Sequence, residues 1–176
     1  MIKIVSVFGT SSAKAGDKSF ALAEEVGRSL AIAGFAIANG GYGGTMLAAA
    51  KGAREAGGEV IGVTCAAFGR GPANEHVSRE IVTRSLSERL EMLVQLGSGY
   101  VVLPGGTGTL LELAMVWELK NKGFIGEDKP IILVGEYWSE VVDVVAADDA
   151  SSRRHFLKAK EPKDVVKILK ERIQRR

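Results

Sequence analysis

Three glycine-rich turns, each lying between an apolar segment and a helix-like segment, constrain the fold of this chain most strongly. The turn Gly9-Thr10-Ser11-Ser12 follows the apolar residues 2–8, a second turn at 40–44 follows 35–38, and a third at 104–109 follows 100–103. Short apolar segments that end at glycine are typical of buried strands, and apolar residues at helical spacing follow each turn. The pattern predicts that each turn joins the carboxyl end of a strand to a helix.

Strand-like and helix-like segments alternate along the chain, which is typical of βαβ crossovers and a parallel sheet. We predict a single α/β domain over residues 1–176, a Rossmann-like doubly wound parallel sheet of about six strands with helices on both faces. The first five strands are expected in the order 3-2-1-4-5. The expected strands are residues 2–8, 35–38, 59–64, 100–103, 130–134 and 155–157, and residues 65–80 are expected to be irregular.

The composition of the chain excludes several classes of function. The net charge of +2 is too small to favour nucleic acid or an anionic membrane as a partner. Cys65 is the single cysteine, which fits a reducing compartment, and no charged leader or membrane-length apolar run is visible. We therefore expect a cytoplasmic protein. His76 and His155 are far apart and show no ligand-like spacing, so no metal site is expected.

The carboxyl edge of the predicted sheet is where a ligand is expected to bind, because neighbouring strands there send their helices to opposite faces. Unpaired amides in the first turn of a helix attract anions, and glycine lets the backbone approach them closely. The turns therefore predict a phosphate site. The candidate binding residues are Gly9, Thr10, Ser11, Ser12, Gly41, Gly43, Gly44, Gly105, Gly106, Thr107, Gly108 and Thr109.

The third turn differs from two well-known nucleotide-binding motifs. It lacks the Gly-Lys-Ser/Thr ending of a Walker loop, so ATP hydrolysis of that type is not expected. Its glycine spacing also differs from the Gly-x-Gly-x-x-Gly pattern that binds dinucleotides. The sequence therefore favours a phosphate-bearing ligand but indicates neither a Walker-type ATPase nor a dinucleotide-binding protein.

Two charged residues near the third turn have alternative interpretations. Glu112 lies three residues after Thr109. It is either the glutamate of a Thr-x-x-Glu capping box or a catalytic carboxylate beside the bound anion. Arg89 follows a second possible capping box that starts at Ser85, and it either faces solvent or reaches the same sheet edge. A guanidinium group there would pair well with phosphate or carboxylate. Spacing alone leaves both alternatives open.

The segment from Leu103 to Glu112 resembles the Pro-Gly-Gly-x-Gly-Thr-x-x-Glu motif of the Lonely Guy (LOG) family, whose members were long misnamed lysine decarboxylases. The resemblance covers nearly the whole chain. Residues 7–12 resemble the opening Phe-Cys-Gly-Ser-Ser of the family, residues 39–46 its Tyr-Gly-Gly-Gly and Gly-Leu-Met segment, and residues 57–63 its Gly-Gly-x-Val-x-Gly-Val.

The resemblance implies a nucleoside 5′-monophosphate phosphoribohydrolase, which cleaves the N-glycosidic bond and releases a nucleobase and ribose 5-phosphate. It implies Arg89 and Glu112 as the catalytic pair, no cofactor and a homodimer, and it does not support a lysine decarboxylase. The chain carries Leu90 and Leu111 where the family usually has Lys and Glu. These departures place it nearer to divergent relatives such as molybdenum-cofactor carrier-like proteins. The alternative function is therefore a carrier that binds a nucleotide or molybdopterin-type ligand without hydrolysis.

Overall fold

The computed structural model describes residues 2–173 and contains one seven-stranded parallel sheet. The sheet order is β4-β3-β2-β1-β5-β6-β7, and every neighbouring pair is parallel. The strands are β1 (Ile4–Phe8), β2 (Ala36–Asn39), β3 (Val60–Cys65), β4 (Arg79–Thr83), β5 (Gly99–Val102), β6 (Ile131–Val134) and β7 (Phe156–Ala159). The α-helices are α1 (Lys18–Ile32), α2 (Thr45–Glu55), α3 (Leu86–Leu96), α4 (Thr107–Asn121), α5 (Ser139–Asp148) and α6 (Pro162–Ile173).

Two apolar cores lie on opposite faces of the sheet. Helices α1, α2 and α6 cover one face, where Val26, Leu30 and Leu169 are fully buried. Helices α3, α4 and α5 cover the other, where Leu93 and Leu113 are buried against the strands. Strands covered on both faces read as continuous apolar runs, as the five central strands do. The prediction of a doubly wound parallel sheet is therefore confirmed.

The predicted number of strands was one too low. The predicted order 3-2-1-4-5 is confirmed and corresponds to β3-β2-β1-β5-β6. The strand that was not predicted is β4, which begins at the end of the stretch 65–80 that was expected to be irregular. Strand β4 forms an edge of the sheet, and four of its five residues are exposed or half-buried. An edge strand that keeps one face in solvent lacks the apolar run by which the other strands were recognised.

The topology places a crevice between the carboxyl ends of β1 and β5. Strand β1 pairs with β2 on one side and β5 on the other, with Phe8 opposite Val102. The chain leaves β1 toward α1 on one face and leaves β5 toward α4 on the other. The first and third glycine turns therefore meet where an open α/β sheet binds its ligand. None of the helices within residues 2–173 combines the length and apolar character needed to cross a membrane.

Candidate active site

A cavity of about 380 Å³ opens at the carboxyl edge of the sheet, above the crevice between β1 and β5. Its walls come from all three glycine turns, from α3 and α4, and from the loop after β3. The lining residues are Gly9, Ser11, Tyr42, Met46, Phe68, Arg70, Leu86, Arg89, Leu90, Thr107, Gly108, Thr109, Leu111 and Glu112. The volume is in the range of small-molecule binding sites.

Helix α4 begins inside the third glycine turn and presents its first amides at this cavity. Gly106 occupies the N-cap, and the amide of Leu110 donates the first helical hydrogen bond, 2.9 Å to the Gly106 carbonyl. The amides of the preceding residues Thr107, Gly108 and Thr109 have no acceptor within the helix, and all three residues line the cavity. The helix dipole adds partial positive charge at this end. The arrangement favours an anion.

The capping-box interpretation of Glu112 is wrong. The helix starts three residues earlier than that interpretation requires, so Thr109 is the third helical residue and Glu112 lies in the second turn. Thr109 is buried, and its side chain packs against Gly105, where a Cβ atom would overlap the Thr109 hydroxyl. Glycine at position 105 therefore lets the chain turn into α4 at Thr107.

Glu112 is a buried carboxyl group in the wall of the cavity, with only 9% of the residue exposed. Burial raises the pKa of Glu112 to about 7, because it penalises the charged form, and the nearby guanidinium of Arg89 lowers the pKa in part. Glu112 Oε1 lies 3.6 Å from Arg89 Nη1. A carboxyl group with a pKa near neutrality can exchange protons at physiological pH, which is a property of catalytic acids and bases.

Arg89 is also buried, with 7% of the residue exposed, so the solvent-facing interpretation of Arg89 is wrong. It lies on α3, whose N-cap Ser85 accepts a 3.2 Å hydrogen bond from the amide of Glu88. Arg89 Nε donates to the Val63 carbonyl, 2.8 Å away, which fixes the side chain beneath the cavity. The guanidinium occupies the space above Gly40, where a Cβ atom would overlap Nη2.

The second glycine turn shapes the site more than it lines it. The Asn39 side chain holds the turn, because Nδ2 donates to the Met46 carbonyl at 3.0 Å and Oδ1 accepts from the Gly41 amide at 2.8 Å. Gly41 and Gly44 have φ angles of 74° and 66°, which favour glycine. The three binding residues predicted in this turn, Gly41, Gly43 and Gly44, do not line the cavity.

The first and third turns contribute five of the predicted binding residues to the cavity, namely Gly9, Ser11, Thr107, Gly108 and Thr109. Thr10, Ser12, Gly105 and Gly106 lie beside the cavity without lining it. The hydroxyls of Thr10 and Ser12 are 2.8 Å apart and hydrogen-bond to each other. The Thr10 carbonyl accepts hydrogen bonds from both the amide and the hydroxyl of Thr45, which ties the first turn to the second.

The outer wall of the cavity contains residues that the sequence analysis missed. The guanidinium of Arg70 lies 5.3 Å from the ring centroid of Tyr42 and 5.9 Å from that of Phe68. Arg89 approaches the same two rings from inside, at 6.0 and 5.8 Å. Phe68 and Arg70 belong to the segment expected to be irregular, and their only sequence signal is an aromatic and a basic residue flanking Gly69.

The remaining wall residues are apolar. Leu90 and Leu111, which replace polar residues of the LOG pattern, both line the cavity. The cavity therefore combines one ion pair and a set of amides with a mainly apolar surround. Within residues 2–173, no group of three or more His, Cys, Asp or Glu side chains is arranged to hold a metal ion.

Comparison with known families adds a sequence match over nearly the whole chain. The profile described as the SLOG cluster 4 family matches residues 2–166. A cytokinin riboside 5′-monophosphate phosphoribohydrolase of Mycobacterium tuberculosis is 37% identical over 116 residues, which are 64% of this chain and 60% of that protein. A protein of the same name from Rhodococcoides fascians is 31% identical over 148 residues, 81% of this chain and 74% of the relative.

A solved structure is similar over an even larger share of the chain. The molybdenum cofactor carrier protein of Chlamydomonas reinhardtii superposes with a TM-score of 0.79 at 27% identity. The superposition covers 99% of this chain and 100% of the carrier. The chain is therefore similar in sequence to phosphoribohydrolases and similar in structure to a carrier protein.

Proposed function

The chain belongs to the SLOG cluster 4 family, and from this premise we propose that it is a nucleoside 5′-monophosphate phosphoribohydrolase. The proposed reaction is hydrolysis of the N-glycosidic bond, which releases a nucleobase and ribose 5-phosphate. The relatives from Mycobacterium tuberculosis and Rhodococcoides fascians, both named for that reaction on cytokinin ribosides, support the proposal.

One observation carries the proposal: a buried Arg89–Glu112 pair lies in the same cavity as the unpaired amides at the start of α4. The amides suit the 5′-phosphate of a nucleotide, and the hydroxyl of Thr107 and the turn at Gly9 and Ser11 can add contacts to it. Glu112 lies five residues after Thr107, about 7.5 Å further along the helix axis. A ribose ring bound by its phosphate at the amides would therefore extend toward the carboxyl group.

The chemistry follows from the positions of these groups. The bond between ribose C1′ and the base nitrogen breaks with its electron pair remaining on the nitrogen, and a water oxygen bonds to C1′. The carboxylate of Glu112 stabilises the positive charge that develops on the ribosyl group and accepts the proton of the attacking water. The proton then passes to the departing base. Water is the only co-reactant that the balance requires.

Arg89 has a separate role in this proposal. Its guanidinium is fixed by the Val63 carbonyl and lies 3.6 Å from Glu112, so it orients the carboxylate and favours the ionised form. The rings of Tyr42 and Phe68 stand on the outer side of the cavity, where a planar base can stack. Binding of the phosphate, remote from the breaking bond, fixes C1′ beside Glu112 and contributes to catalysis by positioning.

The experiment is a screen of purified protein against nucleoside 5′-monophosphates, with detection of free base and of ribose 5-phosphate. The wild type is expected to release base from at least one of them, and Glu112→Gln is expected to reduce the rate by about 100-fold or more. Glu118→Gln on the exposed side of the same helix is the matched control and is expected to retain wild-type activity. Equal rates for the wild type and Glu112→Gln would contradict the proposal.

A second candidate function rests on a different observation. Leu90 and Leu111 place apolar side chains where the LOG pattern has polar ones, and the carrier protein of Chlamydomonas reinhardtii has a similar structure. The chain would then bind a nucleotide or a molybdopterin-type ligand without turnover. Binding that raises the melting temperature, with the ligand recovered intact after long incubation, would favour this candidate. Release of base above the Glu112→Gln control would exclude it for that ligand.

We also propose that the protein forms a homodimer through the face of α3 and α4. Helix α4 is apolar around most of its circumference, so Leu110 and Leu111 remain partly exposed in the single chain. An apolar groove of about 510 Å³ continues this face, lined by Val94, Met115, Leu119, Phe124 and Ile125 together with Glu91, Gln95 and Lys129. Contiguous exposed apolar side chains are typical of protein interfaces.

A further inference from the structure

A small basic cavity lies at the amino edge of the sheet, at the opposite end of α4 from the candidate active site. Its volume is about 40 Å³, and it is lined by Lys120, Glu127, Pro130, Arg154, His155, Leu157 and Arg172. Lys120 comes from the last turn of α4, Arg172 from the last turn of α6, and Pro130 directly precedes β6. Nothing in the proposed hydrolysis uses these residues.

His155 in this cavity is a buried polar side chain without a partner. Only 4% of the residue is exposed, and neither Nδ1 nor Nε2 has a hydrogen-bond partner among the described residues. A buried imidazole left without partners destabilises a fold, so such a group indicates a missing ligand or water. Burial and the charge of Arg154 lower the pKa of His155, which leaves a neutral ring with one N–H donor to satisfy.

Lys120 supplies a buried positive charge that forms only a long ion pair, with Glu127, among the described residues. Its Nζ donates to the carbonyls of Gly126, Glu127 and Lys129 at 3.2, 3.5 and 2.7 Å, which fixes it in place. The nearest carboxylate is that of Glu127, whose Oε2 lies 3.9 Å away on a largely exposed side chain. Burial lowers the pKa of Lys120, and a bound anion would relieve that penalty on its charge.

The balance of charge around the cavity is positive. Arg154 and Arg172 line it together with Lys120, against the single lining carboxylate of Glu127. Asp128 favours the charged form of Lys120, and Asp149 favours the charged form of His155. Neither of these two aspartates lines the cavity. Arg154 and Arg172 are exposed residues. Guanidinium groups suit the oxygens of a doubly charged oxyanion.

We propose that this basic cavity is a second ligand site that binds the tetrahedral oxyanion of phosphate between His155, Arg154 and Arg172. A water needs about 10–15 Å³ of such space, so the cavity has room for one small oxyanion in place of roughly three waters. The His155 N–H donates to one anion oxygen, the two guanidinium groups bind the others, and Lys120 contributes its charge from beneath. The site is independent of the proposed hydrolysis.

The test uses the imidazole nitrogens as reporters, because the chain has only two histidines, His76 and His155. Inorganic phosphate is titrated into protein labelled with nitrogen-15 at histidine, at constant ionic strength. We expect a saturable shift of the His155 resonances while those of His76 stay in place. The double substitution Arg154→Gln with Arg172→Gln is expected to weaken the apparent phosphate affinity by about tenfold or more.

The matched control is Arg153→Gln, the exposed neighbour that pairs with Asp143 outside the cavity, and its affinity should stay within about twofold of the wild type. The proposal would be overturned if the shift of the His155 resonances did not saturate with phosphate, or if potassium chloride produced the same shift. It would also be overturned if the shift persisted in the double variant. Acetate binding as tightly as phosphate would overturn the assignment of the ligand as phosphate.

Discussion

Glu112 is the residue at which stability and the proposed function conflict. Its carboxyl group is buried in the cavity wall, with Arg89 as the single nearby cation described. The rise of its pKa to about 7 means that burial outweighs the attraction of that cation. A chain selected for stability alone would have an uncharged side chain here, and the carboxylate is instead what the proposed hydrolysis requires.

The pH dependence of unfolding tests this view of Glu112. Below about pH 4.5 the carboxyl is protonated in both the folded and the unfolded chain, so the wild type and Glu112→Gln should be similarly stable. As the pH rises to about 7, only the unfolded chain ionises, and the wild type should lose up to about 3 kcal/mol relative to Glu112→Gln. Urea unfolding of both proteins at about pH 5 and about pH 8 measures the difference.

The control for this prediction is Glu118→Gln, on the exposed side of the same helix. Its difference from the wild type should stay below about 1 kcal/mol at both pH values, because exposed ion pairs contribute little. A Glu112→Gln difference that is equal at low and high pH would mean that the charge of Glu112 carries no burial penalty.

The three glycine turns are the elements that the sequence identified most securely. Each was predicted from an apolar strand that ends at glycine, and each lies at the carboxyl edge of the sheet as expected. The sequence could not show that the turns differ in what they do. The glycines and hydroxyl residues of the first and third turns line the cavity, whereas the second turn lines it only with Tyr42 and makes room for the guanidinium of Arg89 above Gly40.

The replacement of Gly40 by alanine tests the role of the second turn. A Cβ atom at this position would overlap Arg89 Nη2, so Gly40→Ala should displace the guanidinium from Glu112. The rate constant kcat/KM for base release is expected to fall by about 10- to 100-fold, because small misplacements of catalytic groups have effects of that size. Steady-state kinetics on the substrate found in the screen measures it.

Gly71→Ala is the matched control for Gly40→Ala. Gly71 lies in the loop after β3, where an added Cβ atom meets nothing within 4 Å, so kcat/KM should stay within about twofold of the wild type. An undiminished rate for Gly40→Ala would show that the position of Arg89 does not depend on this turn.

The parts that sequence reasoning missed have physical causes. Strand β4 was missed because one of its faces stays in solvent, so its residues show no apolar run. The start of α4 was misplaced because Thr109 and Glu112 imitate a capping box, whereas the helix begins at Thr107 after a glycine N-cap. Phe68 and Arg70 were missed because only the fold of the loop after β3 brings them to the cavity.

At the scale of the whole molecule, the two faces of the sheet differ in how well they are covered. On the face covered by α1, α2 and α6, the solvent-facing surface carries ion pairs of Arg28 and Lys51 with glutamates of α1 and α2. The face of α3 and α4 ends in an apolar groove that includes Phe124, 77% of which is exposed. This contrast supports the proposal that a second copy of the chain covers α3 and α4.

A charge placed in the groove tests the proposed dimer. Phe124→Glu would bury an unpaired carboxylate in the interface and should raise the dissociation constant of the dimer by about tenfold or more. Ile32→Glu is the control, because Ile32 is similarly exposed, at 74%, but lies on α1 across the sheet. Analytical ultracentrifugation of both variants measures the effect. A wild type of single-chain mass, or equal dissociation of both variants, would contradict a dimer through this face.

The most direct test of the central claim is a crystal structure of Glu112→Gln with AMP. That substitution removes the carboxylate and is expected to leave the nucleotide intact in the cavity. We predict the 5′-phosphate within hydrogen-bond distance of the amides at Thr107 to Thr109, with ribose C1′ facing position 112. A nucleotide bound outside this cavity, or bound inside it with C1′ turned away from position 112, would contradict the account.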